Sequence, residues 1–161
     1  MHVRPMLPSE VTSVDALARM TGQKLNIAEE QARTLSRFWV ANAEEASTEP
    51  DAFLLVWVAA DELHVISIGT HPSARRKGLA KALMGALFDY AKTLQSRLIL
   101  LEVRRSNRAA AALYRSFGFS VARLRKGYYS DPEEDGIEML VALDAQGRHI
   151  AMPDEVSGLE V

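Results

Sequence analysis

Short apolar runs alternate along this chain with stretches of helical spacing, the pattern of strands joined by amphipathic helices. Residues 2–7 read as a first strand, ended by Pro8-Ser9. Ser9 then heads a helix with Val11, Val14, Leu17 and Ala18 on one face, running to Met20 and stopped by Thr21-Gly22. Asn26 is placed to cap a second short helix over about 27–34, and residues 38–43 read as a strand. The polar segment ASTEPD (46–51) is a turn by composition. Residues 52–60 are almost continuously apolar and bounded by Asp61-Glu62, which predicts a buried strand hairpinned to residues 63–70.

The stretch from Thr70 to Gly85, THPSARRKGLAKALMG, organises the rest. After Gly78 the apolar positions Leu79, Ala80, Leu83, Met84, Leu87, Ala91 and Leu94 share one helical face. A strand therefore ends, a basic turn of Arg75, Arg76 and Lys77 follows, and a helix begins with little side chain in the way. The first N–H groups of a helix lack internal partners and its dipole favours an anion there, so the arrangement suits a diphosphate. A solvated basic connection before a helix is the plainer reading of the same residues.

Residues 97–104 (RLILLEVR) form the next buried strand, and strand–helix–strand in this order predicts a right-handed crossover. Ser106-Asn107 caps a helix through Phe117 that Gly118 closes. Residues 119–125 and 137–143 are two last strands around the polar loop SDPEEDG. Residues 144–161 lack periodicity and form a tail, loose or docked. The domain is thus expected over 1–143, with the tail at 144–161.

Composition narrows the function. With 161 residues, 48% of them hydrophobic, the chain has material for a single core. A net charge of −2 argues against a general field for nucleic acid. Cysteine is absent, which rules out disulfides, thiolate ligands and a cysteine nucleophile. The four histidines are scattered without ligand spacing, so no metal is expected. No apolar run approaches the ~20 residues of a membrane span, and no signal-peptide pattern stands at the N-terminus. A soluble cytoplasmic protein follows, with no membrane partner.

Two residues stand out. Glu102 interrupts an apolar strand on the face of Leu98 and Leu100. Burying a carboxylate is costly unless it is paired, and burial raises its pKa. Either a cation such as Arg104 neutralises it, or it faces a cleft. Tyr114 lies on the helix after Asn107, where a plain core tyrosine is the simplest account.

The motifs ARRKGLA, LEVRRSNRAAAALYRSFGF and RKGYYSDPEEDGIEM carry a resemblance. The first fits the (Gln/Arg)-x-x-Gly-x-(Gly/Ala) signature of the GNAT superfamily of N-acetyltransferases through Arg75, Gly78 and Ala80. The others look like the bacterial ribosomal-protein-alanine N-acetyltransferases and related N-terminal acetyltransferases. The likeness covers about residues 61–143. It implies a single-domain α/β fold whose mixed sheet, flanked by helices, is splayed at an acetyl-CoA site between the strand ending near Thr70 and the strand carrying Glu102.

By the same resemblance, acetyl-CoA is the co-substrate. Its pyrophosphate would lie on Arg75, Arg76, Lys77, Gly78, Leu79 and Ala80, and its thioester carbonyl on the backbone of Ile68, Gly69 and Thr70, with Gly69 small enough for close approach. Asn107 would contact it near the sulfur. Glu102 becomes the general base, directly or through water, and Tyr114 the acid for the leaving thiolate. Tyr128 and Tyr129 would wall a peptide groove or anchor the terminal hairpin. The acceptor implied is a protein N-terminus, an alanine of a ribosomal protein. The Pro-Trp element usual in those enzymes is missing from residues 21–36, which leaves acceptor identity open. A small amine or antibiotic is the alternative acceptor, and a non-catalytic acyl-CoA-binding module is a third possibility. The oligomeric state is not legible.

Overall fold

The structure, a computed structural model, describes residues 1–159, so the last two residues of the expected tail lie outside it. By its internal contacts the chain forms two compact units, residues 1–59 with 65–90, and residues 60–64 with 91 onward.

The first unit opens with strand β1 (His2–Pro5), helix α1 (Val11–Met20), helix α2 (Ile27–Ala32), strand β2 (Ser36–Asn42) and strand β3 (Ala52–Ala59). β1 pairs antiparallel with β2, and β2 with β3. Most of strand β4 (Glu62–Thr70) and the larger part of helix α3 (Leu79–Leu94) complete it. Val14, Leu17, Ala18, Ile27, Val40 and Phe53 form its fully buried centre, with Met6, Val11, Leu25 and Phe38 packed around them.

Ser9 does not cap α1. It lies in a 3₁₀ turn, Pro8–Glu10, and α1 begins one residue after that turn. Glu10 takes over the local bonding instead, because its carboxylate accepts from the Leu7 N–H at 2.8 Å and from both terminal nitrogens of Arg4. Asn26 does cap α2, its Oδ1 accepting from the Glu29 N–H at 3.1 Å. The helix is pinned by Glu30, a buried carboxylate accepting from Trp57 Nε1 (2.8 Å) and Ser36 Oγ (3.1 Å). On the other side, Tyr90 of α3 packs edge-on against Trp39 and accepts a hydrogen bond from Arg37.

The second unit contains strand β5 (Leu98–Arg104), helix α4 (Arg108–Ser116), strand β6 (Ser120–Tyr129), strand β7 (Glu134–Leu143) and the two-residue strand β8 (His149–Ile150). β7 pairs antiparallel with β5, β6 and β8. β6 and β7 are longer than their sequence suggests, and only residues 130–133 of the SDPEEDG segment remain between them. Polar side chains along the outer halves of both strands hide the alternation there. The register slips between Arg125 and Tyr129, where Gly127 adopts a left-handed φ of +60° and donates its N–H to Asp135.

The tail is docked. Asp154 accepts two hydrogen bonds from Arg115 and one from the Val121 N–H, while the Glu155 N–H donates to the Val121 carbonyl at 2.8 Å. Among the described residues, no helix is long and apolar enough to cross a membrane.

Candidate active site

The basic turn lies in the first unit. His71 stops β4, and its side chain accepts from the Ser73 N–H to shape a 3₁₀ turn over Pro72–Ala74. Arg76 (φ +63°) and Gly78 (φ +80°) are both left-handed, which turns the chain sharply into α3. A Cβ on Gly78 would meet nothing closer than Met1 Cε at 3.5 Å, so the glycine answers a backbone need and its surroundings are open. Arg75, Arg76, Lys77 and Gly78 are all exposed. Alternating left-handed backbone, a helix start and three exposed cations fit a pyrophosphate.

The space beside Gly69 is differently used from the expectation. A Cβ there would stand 2.7 Å from the Phe53 ring, 3.0 Å from Thr21 Oγ1 and 3.1 Å from Gln23 Nε2. The missing side chain makes room for these neighbours. The Gln23 carboxamide also donates to the Ile68 carbonyl at 3.0 Å. Thr70 ends β4, partly buried like Ile68, and Leu79 and Ala80 open α3 as the helical spacing predicts.

The second unit holds the titratable cluster. Burial alternates strictly along β5, with Ile99, Leu101 and Val103 inside and Leu98, Leu100, Glu102 and Arg104 on the half-buried face. Arg104 does not neutralise Glu102. Its guanidinium bonds Glu134 and lies 4.5 Å over the Tyr129 ring. The partner of Glu102 is His64, whose Nε2 is 2.6 Å from the carboxylate. Directly across the strand pair stands Glu138, held ionised by Arg123 and Arg125 despite its burial. Part of the signal for the His64 pairing was in the sequence: Glu102 and His64 are each a titratable side chain flanked by apolar residues within a strand.

Tyr129 stands within the electrostatic reach of Glu102 and Tyr114. Burial first, then Tyr128 and Glu102, push its phenol up to about 12. Tyr114 is 4% exposed, tilted against Phe119, and burial with a contribution from Tyr129 raises it likewise to about 12. Tyr128 packs at right angles on Tyr129 at 4.9 Å, its ring under Arg125 and close over Gly136. Asn107 caps α4, accepting from the Ala110 N–H at 3.2 Å, and Gly118 follows the helix at φ +87°.

The first unit thus carries a basic turn at a helix start, and the second a carboxylate–histidine pair with tyrosines nearby. The model of the acetyltransferase (GNAT) family matches residues 14–119. The chain belongs to this GNAT family. The GNAT chain is 39% identical over 94 residues to ribosomal protein bS18-alanine N-acetyltransferase of Escherichia coli K12, covering 57% of this chain and 64% of that enzyme. The match thus spans less than two thirds of that relative's length. The crystal structure of the Escherichia coli ribosomal-protein-S18-alanine N-acetyltransferase superposes with a TM-score of 0.78 at 25% identity, covering 96% of both chains. NAA60 of Arabidopsis thaliana, solved with a bisubstrate analogue, shares the fold at a TM-score of 0.75 and 17% identity, over 86% of this chain and 95% of that one. This is the α/β GNAT fold, a mixed sheet of mostly antiparallel strands flanked by helices.

Proposed function

We propose that this chain is a cytoplasmic acetyl-CoA-dependent N-acetyltransferase acting on the free α-amine of a protein N-terminus, with an alanine of a ribosomal protein as acceptor. The observation that carries the reading is the setting of Glu102, a carboxylate deep in a strand whose partner is a histidine and whose near neighbour is a protonated tyrosine. The acceptor rests on what the Escherichia coli relative is named for.

Arg75, Arg76 and Lys77 with the N–H groups from Gly78 to Ala80 hold the pyrophosphate, and Asn107 lies near the sulfur. A free α-amine titrates at about 8, so near neutral pH a modest base is enough to free its lone pair. Glu102 accepts that proton, directly or through one water, with His64 fixing the orientation of the carboxylate. The new bond is amine nitrogen to acyl carbon, and the bond broken is acyl carbon to sulfur. Backbone N–H groups of Ile68 to Thr70 stabilise the charge developing on the thioester oxygen. The leaving thiolate has the stability of a thiol of pKa about 8.5. A phenol at about 12 is the weaker acid, so Tyr114 serves as a hydrogen-bond donor that stays protonated while charge builds on sulfur. Tyr128 and Tyr129 wall the acceptor side.

The test is incubation with acetyl-CoA and a panel of free-N-terminus peptides, polyamines and aminoglycosides, read by mass. Acetylation of the α-amine of Ala-initiated peptides is expected. Modification of the small amines with the peptides untouched overturns the acceptor, and no transfer to any amine overturns the activity.

A further inference from the structure

Gln23 sits on the connection between α1 and α2, outside every motif that suggested chemistry. Its position is tightly built. Thr21 closes α1 with its N–H and hydroxyl on the carbonyls of Leu17 and Ala18, Gly22 turns left-handed at φ +77°, and the Gln23 N–H returns to the Ala18 carbonyl at 3.0 Å. From there the carboxamide nitrogen reaches 3.0 Å to the Ile68 carbonyl and 3.1 Å to Thr21 Oγ1. Both of its N–H groups thus have acceptors. The neighbouring Gly69 has no side chain, and a Cβ there would crowd this carboxamide at 3.1 Å.

The backbone geometry of β4 says which edge Gln23 occupies. The His71 N–H donates to the Asp51 carbonyl at 2.7 Å, so His71 aims its backbone groups at the strand before it. Backbone groups alternate edges residue by residue along an extended chain. Ile68 and Thr70 therefore turn theirs to the opposite edge, where the Ile68 carbonyl meets Gln23. That edge carries, in order, the Ile68 N–H, the Ile68 carbonyl and the Thr70 N–H. A bare strand edge is a mixed surface, in which each carbonyl repels the charge its flanking amides attract.

We infer that Gln23 is a positioning residue for acetyl transfer: by occupying the Ile68 carbonyl it leaves the Ile68 and Thr70 amides as the groups that address the thioester oxygen. This rests on the proposed role of the Ile68–Thr70 backbone. A hydrogen bond into the carbonyl offsets its dipole toward the reacting oxygen, so the field there is set by the Ile68 and Thr70 amides. Donors aimed where charge develops act on the transition state more than on bound substrate, so the effect belongs in kcat. The same bond ties the connection between α1 and α2 to the strand that holds the acyl group.

The experiment compares wild type with Gln23→Met, which keeps length but cannot donate, and Gln23→Lys, which restores a donor. Gln23→Met is expected to lower kcat about tenfold or more, below the 10²–10³ of losing a donor outright, with the KM for acetyl-CoA little changed. Gln23→Lys should recover most of kcat. Isotope-edited infrared spectra of bound acetyl-CoA should show the thioester carbonyl stretch moving to higher frequency in Gln23→Met as polarisation is lost. A Gln23→Met protein that melts earlier yet keeps wild-type kcat and carbonyl frequency in its folded fraction overturns the inference. If wild type transfers to no amine, the functional reading fails by itself, and the carbonyl frequency of bound acetyl-CoA in the two proteins still decides the role of Gln23.

Discussion

Glu102 and His64 share a 2.6 Å hydrogen bond, although 38 residues separate them in the chain. Arg104, two positions along from Glu102, is committed to Glu134 and to the face of Tyr129. The distinction matters for what a substitution does. Removing the carboxylate beside a buried arginine strands a permanent charge, at a loss of roughly 3–5 kcal/mol. A histidine, unlike an arginine, is not a permanent charge.

Glu102→Gln should therefore cost only about 1–2 kcal/mol, a charge-assisted hydrogen bond exchanged for a neutral one. Its kcat should fall by roughly 10²-fold or more, because the amide cannot accept the amine's proton. The residual rate should climb with pH toward the amine's own pKa near 8, since only free amine still reacts. Thermal unfolding and a pH–rate profile on one preparation check both halves. Wild-type turnover with an unaltered profile would sink the base assignment.

Tyr114→Phe keeps the ring against Phe119 and removes the hydroxyl. Losing that donor to the developing thiolate should lower kcat about 10²-fold, with acetyl-CoA affinity nearly unchanged. A variant fully active but less stable would return Tyr114 to the core.

The same phenol should leave a mark on alkaline stability. In the folded protein Tyr114 stands at about 12 through burial, while an unfolded tyrosine titrates near 10. The unfolded chain thus loses its proton first. The stability tied to the neutral phenol is complete below about pH 10 and is lost as pH rises through 12. Denaturant midpoints measured across that window should fall less steeply in Tyr114→Phe than in wild type. Equal slopes would mean the phenol is not held neutral by burial.

Gly78→Glu puts a side chain and a negative charge at an open left-handed position beside three cations. Acetyl-CoA affinity should fall at least tenfold, about 1.4 kcal/mol, with far-UV circular dichroism preserved. Unchanged binding by calorimetry would move the cofactor site elsewhere.

Asp154→Ala removes the acceptor for two Arg115 hydrogen bonds and the Val121 N–H. The pair is partly exposed, so about 1 kcal/mol is the expected loss. Arg115 holds the Asp154 carboxyl below its usual range, with the Val121 N–H adding to it. That contribution is present above about pH 4 and disappears as acid protonates the carboxylate. Wild type should lose stability faster than the variant on acidification. Parallel curves would show the tail to be idle.

Much of this was legible because local rules decide it. Asn26 and Asn107 cap the helices their positions announce, and Gly78 and Gly118 take the left-handed geometry that the turns require. Glu102 is conspicuous in any reading of RLILLEVR. What stayed hidden depends on partners distant in sequence. Nothing local says that Arg104 will choose Glu134, or that the space beside Gly69 is already taken by Phe53, Thr21 and Gln23. Ser9 is a sound cap candidate until Arg4 brings the Glu10 carboxylate back onto the Leu7 amide. The outer halves of β6 and β7 lack apolar alternation because arginine–carboxylate pairs and stacked tyrosines, not a core, line them.

The bonds at Val121 have a consequence for how the chain behaves in a crowded solution. Among the described residues β6 has β7 as its one strand neighbour, and an unpaired strand flank is a template on which another chain can grow. Here both backbone groups of Val121 are taken by Asp154 and Glu155, and farther along the register slips while Arg123, Arg125 and Lys126 supply charge. The last described residues therefore act as a guard rail against self-association. Ending the chain before Asp154 should leave a protein that still folds but forms oligomers as its concentration rises.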